Sequence, residues 1–279
     1  MTQDRTLHRL GLTGAALADR AQRMRRHVVR MVGAIGEGYV GQGLGAADIM
    51  AALYFNEMAY DPDNPAWENR DRFLLSPAHY GVVLFAALAE RGALPVQELA
   101  QYGVDGSPLE IIASERLPGV EATLGSLGMG LSVGVGMSLS LRRRGSDSRV
   151  YVLIGDGELQ EGETWEAAMS AAAFKLGNIC AIVDVNDMQV DGSTRSVLDM
   201  GDIAAKWRAF GWHTIELDGH DLDALVAAFA EARARPDMPT VLVATTTPGR
   251  GVTALEGRKA HFAKLPPDVA AMALTELED

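Results

Sequence analysis

Three short apolar runs constrain this chain most. Residues 150–154 (VYVLI), 179–185 (ICAIVDV) and 240–245 (TVLVAT) are apolar almost throughout rather than alternating with polar positions. Such runs predict strands covered on both faces. A further strand is expected near 213–217, and helical stretches at 164–174, 202–210 and 222–235 separate the runs. Short strands alternating with helices predict an α/β fold, a parallel sheet with helices on both faces. In such sheets ligands bind beyond the carboxyl ends of the strands. Two polar clusters fall at those ends, Gly155-Asp156-Gly157-Glu158 and Asp184-Val185-Asn186-Asp187.

The first half reads as helical. Residues 17–31, 46–58, 80–91, 95–102 and 126–142 carry helix-like patterns, and Asp61-Pro62-Asp63-Asn64-Pro65 ends the second of them as a cluster of turn residues. Glycines 128, 130, 134 and 136 in the last stretch allow another backbone to come close. No repeat, low-complexity tract or Pro/Ser-rich linker appears, so residues 1–279 are expected to form one domain with 266–279 as a helical tail.

Composition removes several function classes. The 279 residues are 48% hydrophobic and 22% charged, which supplies a core and excludes general disorder. Lys plus Arg is 25 against 37 Asp plus Glu, a net charge of −12 that gives no general attraction for nucleic acid or anionic lipid. The arginines at 20, 23, 25, 26 and 30 read as the solvated face of a helix. Cys180 is the only cysteine, which excludes an intrachain disulfide and a CxxC metal site. Residues 1–10 contain no apolar stretch of signal-peptide type. Residues 126–141 fall short of the ~20 apolar residues a membrane span needs. A cytoplasmic location is the expectation.

Glycines flanking Asp156 permit a tight turn and leave backbone N–H groups open to an anion. The Asp156 carboxylate can hold a divalent cation bridging to that anion. A GDG turn alone also serves a plain strand-to-helix connection. The second cluster adds the amide oxygen of Asn186 and a main-chain carbonyl just after it, an all-oxygen set suited to Mg²⁺ or Ca²⁺.

The segment GDGELQEGETWEAAMSAAAFKLGNICAIVDVNDMQVDG (155–192) resembles the thiamine-diphosphate signature of transketolases, especially the separately encoded N-terminal subunit of split transketolases. LGAADIMAALYF (44–55), DRFLLSPAHYG (71–81), PGVEATLGSLGMGLSVGVGMSLSLR (118–142) and GRGVTALEGRKAHF (249–262) resemble other family segments, so the likeness runs from about residue 15 to 265. It implies the thiamine-diphosphate-binding fold. It implies that Asp156 and Asn186, with the carbonyl of Met188, ligate the metal, and that the Gly157 and Glu158 backbone contacts the diphosphate. Gly125 and Leu127 would touch the aminopyrimidine, Glu161 would lie at a subunit interface, and His79 and His261 would be active-site histidines. His8, His27, His213 and His220 match nothing and are read as structural.

The implied activity is transfer of a two-carbon ketol unit from a ketose phosphate to an aldose acceptor, with thiamine diphosphate as electron sink. The implied partner is a second subunit carrying the pyrimidine-binding and C-terminal domains, with two of each chain. Two positions depart from the family pattern. Tyr39 and Ile112 stand where the family has histidines facing the donor sugar, so the usual sugar specificity is in question while the cofactor chemistry is not. Two alternatives are an alpha-type subunit of a 2-oxoacid dehydrogenase and a non-catalytic, partner-binding paralogue. The residues after GDG favour transketolase over the first, and Asp156, Asn186 and His79 argue against the second.

Overall fold

The computed structural model describes residues 5–278, apart from the side chains of Thr6 and Leu7. The signal-peptide reading at 1–10 therefore lies partly outside the described residues, as does the last residue of the tail. Five strands form one parallel sheet: β2 (Arg72–Leu75), β3 (Val150–Gly155), β4 (Ile179–Val185), β5 (His213–Asp218) and β6 (Thr240–Thr245). Their order is β2-β3-β4-β6-β5. The apolar runs explain the two-sided burial. Tyr151, Leu153, Cys180, Ile182, Leu242 and Ala244 share one core. Val152, Ile154, Ala181, Val183, Val241 and Val243 fill the other. Successive side chains of a strand point to opposite faces, so each apolar run feeds both cores at once.

The first core is covered by α1 (Gly14–Ile35), α2 (Val40–Gly45), α3 (Ala47–Ala52), α4 (Gly81–Glu90), α9 (Leu222–Arg233) and α10 (Pro267–Glu276). The second is covered by α5 (Met129–Arg143), α6 (Gly162–Ala173) and α8 (Ile203–Ala209), with Trp207 fully buried between Trp165 and Trp212. A short helix, α7 (Thr194–Leu198), follows the β4 loop. Asp202 and Asp221 cap α8 and α9 by accepting the N–H groups of Ala205 and Ala224. Among the described residues no helix is long and apolar enough to cross a membrane.

Three local expectations are corrected, and two features stand beyond them. Residues 46–58 do not form one α-helix: α2 and α3 meet at Ala46, and Leu53–Glu57 widens into a π-turn closed by Met58 N–H on Leu53 O. Residues 95–102 form a 3₁₀ segment, Val96–Gln101, in which only Leu99 is buried, too little apolar face to hold an α-helix. The helix expected from 126 begins at Met129, because Gly128 takes φ +86°. Finally, β2 and the two-residue antiparallel pair of β1 (Glu37–Gly38) with β7 (Ala263–Lys264) were not expected. The small pair matters for function: it brings the residue after β1, Tyr39, beside the residues before β7, His261 and Phe262.

Candidate active site

Strand register builds the floor. Gly155 on β3 lies opposite Asp184 on β4, so the two polar clusters meet side by side at the carboxyl end of the sheet. Asp156 Oδ1 accepts from Gly157 N (2.9 Å), and Oδ2 accepts from Asp187 N (2.7 Å). Asp187, whose N–H makes the second of these bonds, holds φ +54°, an uncommon backbone for a non-glycine residue. Asn186 Nδ2 donates to Asp184 Oδ2 and to Tyr80 Oη, each at 2.8 Å. Its Oδ1 therefore faces the other way, accepting Met188 N at 3.0 Å with a lone pair still free. Asp184 is fully buried and also accepts the Tyr80 and Thr246 hydroxyls, although burial still pushes its carboxyl up.

These residues fit a divalent cation. Burial, then the Asp184 charge, pushes Asp156 up to about 7, a penalty that a bound cation relieves. Among the described residues no three His, Cys, Asp or Glu side chains converge on a metal position. The donors available here are of another kind: one carboxylate, the Asn186 amide oxygen and the Met188 carbonyl. Gly157 supports the same fit. A Cβ there would lie 2.8 Å from Gln189 Cβ and 3.4 Å from the Met188 carbonyl oxygen, so a side chain at 157 would push Gln189, and the carbonyl before it, away from the turn.

Glu158 plays a part that sequence reasoning missed. Its side chain is buried and faces inward. The carboxylate accepts from the Ser76 hydroxyl, from Gly128 N (2.7 Å) and from Gly155 N (3.2 Å). One carboxylate thus ties the end of β2, the start of α5 and the GDG turn together. Ser76 and Gly128 lie 82 and 30 residues away, so no local pattern signals the hub.

A cavity of about 420 Å³ stands over this floor. Of the expected site residues, His79, His261, Gly125, Leu127, Gly157, Glu158 and Met188 line it, together with Glu161. Asp156 and Asn186 do not line it; they sit beneath, 2% and 5% exposed. Tyr39 and Ile112 line it too. The rings of Tyr39 and His79 are 4.7 Å apart, those of His79 and His261 4.8 Å, and those of Tyr39 and His261 5.4 Å.

Burial, and secondly the neighbouring His261, pushes His79 down to about 3. Burial also lowers His261. Both imidazoles are neutral at pH 7. The unfolded chain takes up a proton near pH 6.5 that folded His79 refuses until about pH 3, so acidification over that window favours unfolding. Melting temperatures from pH 7 to 4 should fall less steeply in His79→Gln than in the unsubstituted chain. Identical slopes would contradict the assignment.

Residues 18–276 match the family model for the transketolase thiamine diphosphate binding domain. A transketolase family protein of Sinorhizobium fredii (strain NBRC 101917 / NGR234) is 49% identical over 93% of this chain and 94% of its own length. A 6-deoxy-6-sulfo-D-fructose transketolase subunit of Clostridium sp. (strain MSTE9) is 39% identical over 94% of this chain and 96% of its own. The crystal structure of Campylobacter jejuni transketolase superposes with a TM-score of 0.89 at 28% identity, covering 96% of this chain and 43% of that one. The strand order, the paired clusters at the strand ends and these similarities converge: the chain belongs to the transketolase family, as its thiamine-diphosphate-binding part.

Proposed function

We propose that this chain is one subunit of a transketolase-like enzyme that moves a two-carbon ketol unit from a ketose phosphate to an aldose acceptor. It works only with a partner subunit carrying the pyrimidine-binding domain, two copies of each. One observation carries the reading: a single cavity has the Asp156–Asn186–Met188 floor beneath it and the His79–His261–Tyr39 cluster in its wall. Asp156, Asn186 and the Met188 carbonyl would hold Mg²⁺ or Ca²⁺, and the Gly157 and Glu158 backbone would meet the diphosphate. Gly125 and Leu127 would flank the aminopyrimidine. When bound, thiamine diphosphate supplies the electron sink that stabilises the two-carbon fragment.

The chain's own contribution is binding, orientation and proton handling. Neutral His79 and His261 each offer one ring N–H and one ring lone pair to sugar hydroxyls. Because burial keeps their proton affinity low, a proton taken from a hydroxyl is readily returned. The cavity wall excludes part of the solvent around them, which strengthens each hydrogen bond.

Tyr39 and Ile112 decide which sugar fits. Ile112 offers no polar side-chain atom, and Tyr39, whose ring lies beside both histidine rings, offers a single hydroxyl. A ketose hydroxyl left unpaired at such a wall costs about 1–3 kcal/mol. The reconstituted enzyme should therefore be slow with xylulose 5-phosphate and faster with a branched or modified ketose phosphate. The relative named for a sulfonated ketose supports this direction. Steady-state kinetics on a ketose panel, repeated with Tyr39→His, test it. The variant should gain about tenfold in kcat/KM for xylulose 5-phosphate. If xylulose 5-phosphate is already the best donor of the unsubstituted enzyme, this account of Tyr39 and Ile112 fails.

A further inference from the structure

His220 lies at the corner between β5 and α9, does not line the cavity, and belongs to no segment that carried the family resemblance. Yet its side chain is nearly buried and bonded on both sides. Nδ1 lies 2.7 Å from Asp48 Oδ2 on α3, and the Thr247 backbone N–H donates to Nε2 at 2.8 Å. A backbone N–H can only donate, so Nε2 carries the lone pair and Nδ1 carries the proton given to Asp48. Asp48 is held in turn by the guanidinium of Arg25, which is buried and not on the solvated helix face expected of the arginine run, and whose Nε donates to Leu44 O at 3.2 Å.

Thr247 opens the segment that ends at His261. That segment is closed on itself and clamped at both ends to α2. Gly257 N donates to Pro248 O, and Gly249 N donates to Gly41 O, both at 2.8 Å. Gly249 takes φ +76°, and a Cβ there would sit 2.3 Å from Leu255 O. At the far end Gln42 Nε2 donates to His261 O at 2.8 Å. Thr247 O also lies 3.0 Å from where a Gly45 Cβ would stand. Residues 256–260 are exposed, so it is the hydrogen bonds at the two ends, with Pro248 and Gly249 buried at the first, that carry a displacement of Thr247 along the segment.

We propose that His220 is a positioning residue: its Nε2 fixes Thr247, and through the clamped 247–261 segment it sets the place of the His261 ring in the cavity. The effect on turnover rests on the reading that His261 faces substrate; the effect on the segment does not. Two substitutions separate the two hydrogen bonds. His220→Asn places its amide near the Nδ1 position and can still donate to Asp48, but it does not reach Thr247. His220→Gln places a carbonyl oxygen near the Nε2 position and can still accept from Thr247.

Hydrogen–deuterium exchange on the chain with its partner subunit reads the segment directly. In His220→Asn, amides of 247–262 should exchange about tenfold faster, as expected for one lost hydrogen bond. Amides of 150–155 and 179–185 should be unchanged. The kcat of the same complex should fall about tenfold with thiamine diphosphate affinity within twofold of normal, since displacement of a substrate-facing group costs rate first. His220→Gln should bring both readouts most of the way back. Unchanged exchange in His220→Asn, equal acceleration in both variants, or acceleration that spreads into β3 and β4 would each overturn the inference. Faster exchange in 247–262 with kcat unmoved would leave the clamp standing and count against the substrate-facing reading of His261.

Discussion

Asp156→Asn is expected to weaken metal-dependent thiamine diphosphate binding by on the order of 100-fold, the loss of about 3 kcal/mol from a charged ligand. Without cofactor, the melting temperature should stay level or rise. The reason lies in the same carboxylate. Burial and Asp184 raise Asp156 to about 7, so the folded chain holds a proton that the unfolded chain gives up near 3.8. Stability from this group is therefore complete at low pH and lost as pH rises from 3.8 through 7. At pH 8 the empty site carries an unfavourable buried charge, which the neutral amide removes while keeping one oxygen for the Gly157 or Asp187 N–H. The gain in melting temperature should be larger at pH 8 than at pH 6. Titration calorimetry with Mg²⁺ present reads the affinity. An affinity unchanged by the substitution, or unchanged after chelation, would remove Asp156 from the metal site.

The parts of this molecule legible in the sequence are those fixed by local pattern. β3, β4 and β6 are covered on both faces, and that burial writes itself into the chain as nearly continuous apolar runs. The polar clusters at 155–158 and 184–187 stand out because they interrupt those runs. β2, by contrast, is only Arg72–Leu75, too short to show a period, and it is stabilised by pairing with a strand that begins 78 positions later in the chain. The β1–β7 pair joins residues more than 220 positions apart and has no pattern of its own. His220 has ordinary neighbours in sequence, and its meaning comes from Asp48, 172 positions away. Tyr80 is similar: its hydroxyl orients Asn186 across 106 positions, and in sequence it is one more aromatic residue near a helix start.

The proposed requirement for a second subunit carries the largest expected effect, and the surface supports it. Exposed apolar side chains cluster around the cavity mouth: Leu127 is 37% exposed, Met129 40%, Leu198 55% and Val190 73%. Leu127 and Val190 line the cavity itself, and the Leu198 carbonyl accepts from Gln160, which also lines it. Exposed apolar surface concentrated in one patch marks a protein interface. A partner seated there would enclose the cofactor and bring the pyrimidine-binding domain over the His79–His261 wall. The direct measurement is ketol transfer, with thiamine diphosphate and Mg²⁺ present, by this chain alone, by its copurified partner alone, and by the two mixed. Turnover confined to the mixture is the expected result. Turnover by this chain alone, with no second polypeptide on a denaturing gel, would contradict it.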